Sequence, residues 1–152
     1  MMKKINLKKL FKKILIFFSI SYMLALILSL VLVIRMSSII YESTAFGIVL
    51  EEYKLDFISN KAEYSNFDFD GIQVKHQEIK LSSLQEFKFK TLFAISLGPL
   101  WRNSYYNPFI MDGDQWNMTR SYSNEKKDIT YGSNAYPLTY SFVLHVIKGL
   151  FT

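Results

Sequence analysis

With 152 residues, 50% hydrophobic and 16% aromatic side chains, the chain holds enough material for one folded domain and an appendage, and its six glycines and three prolines exclude a linker-like, disordered composition. The net charge of +5 is local: Lys3, Lys4, Lys8, Lys9, Lys12, Lys13 and Arg35 precede the first acidic residue, Glu42, whereas 11 basic and 13 acidic residues follow Met36, which excludes a phosphate-tracking surface and nucleic acid as a partner. Cysteine is absent, so disulfides, thiolate nucleophiles, cysteine-based zinc sites and a lipidated cysteine are excluded as well.

Residues 1–13 read as a basic cytoplasmic stub. From Ile14 to Ile34 the chain is uncharged and dominated by Leu, Ile, Val and Phe, and 21 residues of helix at about 1.5 Å each give about 31 Å, the thickness of a bilayer core. This predicts one transmembrane helix over 14–34. A cleaved signal has a shorter apolar run followed closely by a small-x-small site, and the nearest such pattern, Ser43-Thr44-Ala45, lies well beyond the run. The expectation is a retained anchor. Six lysines before the helix against Arg35 after it set the N-terminus in the cytoplasm and residues 35–152 outside, at the cell (inner) membrane of a bacterium, with the lipid bilayer as one partner.

Beyond the anchor, Phe46, Val49, Leu50, Tyr53 and Phe57 recur at steps of three and four, which predicts an amphipathic helix over 43–60 capped by Ser43. Phe67 and Phe69, then Ile72 and Val74, alternate with polar residues around Asp70-Gly71, the pattern of a hairpin. The alternation of Phe87, Phe89, Phe93, Ile95 and Leu97 predicts a strand ended by Gly98-Pro99. A loop-rich stretch from Trp101 to Pro137 contains strands near Gln115–Tyr122 and Asp128–Tyr131, with Asn124 to Asp128 as their turn. The apolar run 138–151, broken by His145 and Lys148, is expected to be a last core strand, with a membrane-associated helix as its competitor. The fold class is therefore α+β: one helix packed on a mostly antiparallel sheet of about four to six strands. A helix followed by a meander resembles, in layout alone, the cystatin-like and NTF2-like domains of some single-pass secretion-complex subunits.

Chemistry-bearing motifs are sparse. Asp68 with Asp70 and Asp112 with Asp114 have spacing suited to cation binding or acid–base work, but neither stretch carries the further oxygen ligands of a calcium loop, and glycines beside them point to turn aspartates. His76 and His145 stand alone, without a second ligand at helical spacing. Ser123 and Lys126 match a Ser-x-x-Lys spacing, yet in a hairpin-like context and without the accompanying boxes. No cofactor fingerprint occurs. The segment singled out is aromatic and amide-rich: Trp101, Arg102, Tyr105, Tyr106 and Trp116 are the candidate partner contacts, because Trp, Tyr and Arg dominate interface hot spots, with ordinary sheet filler and a sugar-stacking surface as the competing readings. The expectation is a non-enzymatic anchored module that meets other membrane or envelope proteins. An envelope enzyme or metal-binding domain using the aspartate pairs, and a small immunity or exclusion protein, are the alternatives.

Overall fold

A computed structural model describes residues 7–109 and 113–152. Lys3, Lys4, Asp112 and the side chain of Lys9 lie outside the described residues. The chain opens with helix α1 (Leu7–Ile34), in which Leu10–Ile34 is long and apolar enough to cross a membrane. It reverses at Arg35 into a four-stranded meander, β1 (Met36–Ala45), β2 (Ile48–Asp56), β3 (Lys61–Phe67) and β4 (Gln73–Lys80). Helix α2 (Ser83–Ile95) and a 3-10 turn (Gly98–Leu100) follow, then β5 (Ser104–Tyr106), β6 (Gln115–Tyr122), β7 (Lys127–Ser133) and helix α3 (Tyr140–Lys148). The strands form one seven-stranded sheet in the order β4-β3-β2-β1-β6-β7-β5, antiparallel except for the β5–β7 pair.

The α+β class holds, with a larger sheet and two packed helices instead of one. Three local expectations are corrected. The helix expected over 43–60 is the β1–β2 hairpin: Tyr53, Leu55 and Phe57 alternate with Glu52, Lys54 and Asp56, and Phe46 and Gly47 both take positive φ (50° and 79°), the two-residue turn that suits twisted strands. The helix α2, which packs on the face of the sheet, consequently follows the meander.

The strand expected over 87–97 is α2. Ser82 caps it, its hydroxyl accepting from the Gln85 amide at 3.2 Å while the Gln85 side chain accepts from the Ser82 amide at 2.9 Å. Phe89 and Phe93, four apart, then enter the core together, where a strand would have kept Phe87 on the same face. The expected core strand over 138–151 is instead α3, held against the sheet through Val143 and Ile147, again four apart. The hairpins around Asp70-Gly71 and Asn124 lie where the alternation put them.

Both α2 and α3 cover one face of the sheet. Cross-strand register aligns Ile39, Leu55 and Ala62 in one row and Tyr41, Tyr53 and Tyr64 in the next, all facing the helices. Fully burying one such large side chain contributes about 1.5–3 kcal/mol. The opposite face carries Glu42, Glu52, Lys54, Asp56 and Glu63 and has no covering layer among the described residues.

The end of α1 belongs to this fold. Val33 and Ser29 are buried, and the Ser29 hydroxyl donates to the Ala94 carbonyl at 2.9 Å. Tyr22 donates to the Ile95 carbonyl at 3.3 Å, while Leu30, Val33 and Ile34 lie beside Ser83, Phe87 and Thr91. The pairing of late α1 with early α2, and of earlier α1 with late α2, makes the two helices antiparallel.

Candidate functional site

Of the five candidate contacts, the two tryptophans are inside. Trp116 is 1% exposed, sends its indole N–H to the Ala135 carbonyl at 3.1 Å and packs on Trp101, Tyr105 and Tyr140. Trp101 is buried too, donating to the Thr139 hydroxyl at 3.1 Å. Strand alternation points Trp116 and Met118 inward, and both indoles find the partners that burial demands, which fits the reading of these residues as sheet filler. Tyr105 is half-buried, its hydroxyl accepting from the Arg102 amide at 3.2 Å, which leaves Arg102 and Tyr106 as the exposed members of the set.

The core beneath is polar in two places. Tyr41 and Tyr140 share a hydrogen bond, and burial pushes the Tyr41 phenol up to about 12 and raises that of Tyr140, so both stay neutral near pH 7. Arg120, 1% exposed, forms no ion pair with a carboxylate among the described residues: it donates to the Gly98 carbonyl and to the Thr130 hydroxyl, each at 2.6 Å. Desolvation lowers its pKa against the opposing pull of Tyr122 and Asp128, and the Gly98 carbonyl in the turn after α2 supplies a negative partner for the buried cation.

Asp68 accepts amide hydrogens from Asp70 and Ile72 and so builds the β3–β4 turn, while Asp114 stands exposed on the separate approach to β6. Ser123 and Lys126 are exposed in the β6–β7 turn. His76 lies on the edge strand β4, 3.2 Å from the Ser65 hydroxyl. Among the described residues no three His, Asp or Glu side chains converge as a metal site.

Two concave features lie on the helices. Helices α2 and α3 flank a groove of about 450 Å³ walled by Phe89, Leu92, Phe142 and Val146, with Lys88 and His145 on its rim and no acidic residue in its lining. Beside it, α1 and α2 frame a notch of about 350 Å³ lined largely by Leu30, Val33, Ile34 and Phe87. Leu84, Phe87 and Ile95 of α2, Leu138 and Phe142 around α3, and the Ile27 to Ile34 stretch of α1 add exposed apolar surface to the same flank. Such a surface, next to an apolar helix, is suited in shape and polarity to apolar or amphiphilic partners.

Lys88, His145 and Phe142 were not legible as a site, because the segments carrying them read as strands. One signal could have found them: Ser82-x-x-Gln85 ahead of an apolar run is a capping box, and a helix from Ser83 turns Lys88 away from Phe89 and toward a neighbouring helix. No family model matches the chain, and no curated protein is significantly similar to it.

Proposed function

We propose that this chain is a single-pass membrane protein whose α1 is a retained anchor, with a cytoplasmic N-terminus at the cell membrane of a bacterium. Residues 35–152 are its extracytoplasmic interaction domain, serving as an accessory or subunit of an envelope complex. The observation that carries the retained anchor is the location of the only cleavage-like pattern: Ser43, Thr44 and Ala45 lie within β1, which is hydrogen-bonded to β2 on one side and β6 on the other. Removal of everything before that point would take away most of the central strand together with Val33, Met36, Ile39 and Tyr41, four members of the core. The lysine-rich flank supports the orientation, and the apolar helical flank supports a partner met at the membrane surface, the kind of contact expected of an accessory subunit.

Intact-mass measurement of protein recovered from membranes tests the anchor: a mass including residues before Ser43 is expected, and a chain beginning at Phe46 would overturn it. Reporter fusions after Arg35 and at Thr152 test orientation, both being expected outside. Co-purification after gentle detergent extraction tests the interaction module, and a strictly monomeric, partner-free protein would count against it.

A further inference from the structure

We propose, resting on the anchor reading above, that the groove between α2 and α3 binds an anionic membrane lipid, its acyl part against Leu92 and Phe142 and its headgroup on Lys88 and His145. Depth is the first ground. The 21 residues from Ile14 to Ile34 span about 31 Å, one hydrocarbon core, so Ser29, five residues before Ile34, lies about 7.5 Å inside its outer edge. The Ser29 hydroxyl is bonded to the Ala94 carbonyl, which fixes the end of α2 at that level. Because α2 is antiparallel to α1, Lys88 stands six residues, about 9 Å, farther out, where the headgroup layer begins and where a long side chain adjusts its height.

Helix α3 closes the other side of the groove. Its start is tied to the end of α2 by the Thr139 hydroxyl, which donates to the Ser96 carbonyl at 2.8 Å, and Phe142 and His145 line the groove together with Leu92 and Lys88. Along α2 the groove is thus apolar toward the bilayer and basic away from it, the polarity of an acyl chain joined to an anionic headgroup.

Charge is the second ground. Lys90 is paired with Glu86 at 2.7 Å and Lys148 with Glu51 at 2.9 Å, whereas Lys88 has no acidic partner among the described residues and the groove lining contains none. A cation kept free on the rim of an apolar cleft favours a phosphate over a zwitterion.

The test uses the full chain in neutral detergent, titrated with phosphatidylglycerol or phosphatidylcholine and followed by native mass spectrometry. One phosphatidylglycerol adduct is expected at concentrations at least tenfold below those at which phosphatidylcholine binds. Lys88→Gln with His145→Gln should weaken it at least tenfold, and Lys54→Gln on the uncovered sheet face should leave it unchanged. Equal binding of both lipids, or adducts indifferent to the double substitution, would overturn the proposal. So would displacement by millimolar glycerol phosphate, which would assign the groove to a soluble phosphate ester. Unchanged fluorescence of Trp101 and Trp116 verifies the fold of each variant. Carbonate washing of membranes separates the two failures: a protein that stays in the membrane yet binds no lipid refutes the groove alone, and one that is extracted refutes the anchor.

Discussion

Replacing Val33 with alanine tests whether α1 is a structural part of the domain. Val33 is 3% exposed and joins the core that contains Phe89, Phe93 and Met36. The substitution removes two methyl groups, about 1.6 kcal/mol at about 0.8 kcal/mol each, and a site between two helices and the sheet relaxes only in part, bringing the cost to about 2–3 kcal/mol. Both tryptophans of the chain, Trp101 and Trp116, lie in the domain core, so their fluorescence in detergent micelles reports the domain and not the helix. With a urea slope of about 2 kcal/mol per molar, the midpoint should fall by about 1 M. Ile27→Ala, on the exposed side of the same helix, should stay within about 0.5 kcal/mol of the parent. Equal midpoints for the two variants would refute the claim that α1 and the domain fold as one unit.

Arg120→Ala should destabilise the protein by about 3–5 kcal/mol, through a cavity and the stranded Thr130 hydroxyl, whereas Arg120→Met, which keeps volume and removes the buried charge, should cost less than half as much; urea titration separates them, and equal losses would count against a packing role. At Gly98 an added Cβ would run into the Phe93 ring, so Gly98→Ala should lower stability by about 1–3 kcal/mol, and a thermal melt matching the parent would show that the ring can yield. Tyr41, Tyr53 and Tyr140 have folded pKa values raised above the ordinary 10.0 chiefly by burial, so the unfolded chain loses these protons first. Their contribution to stability is complete below pH 10 and is lost as pH climbs toward about 12, the value for Tyr41. Denaturation midpoints from pH 9 to 12 should trace that fall, and Tyr41→Phe should flatten it.

The apolar helix and its lysine flank were legible because a bilayer span needs nothing but a long uncharged run and charge asymmetry at its ends, both local properties of sequence. Hairpins with a strong turn signal were legible for the same reason: Asp70-Gly71 and the polar Asn124–Lys127 turn fix register over a few residues. The segments 43–60, 87–97 and 138–151 were not, since each satisfies periods of two and of 3.6 at once, and such ties are broken by what lies across the core. Phe89 and Phe93 face the same way only because Phe57 and Trp101 wait for them, and Val143 with Ile147 only because the sheet lies beneath. Burial of the tryptophans was decided on the same ground.

By itself, then, the sequence determined an apolar helix of membrane-spanning length with a basic flank, a charge-balanced chain behind it, and the absence of cysteine. Tertiary structure alone decided that the helix does not stop at the domain but enters it, through Ser29 and Val33 against α2. It also decided that Lys88 and His145, 57 positions apart in the chain, share one groove. The physical reason is range: hydropathy and charge act on neighbours in sequence, whereas which helix meets which, and at what height, is fixed by packing between residues that sequence keeps far apart.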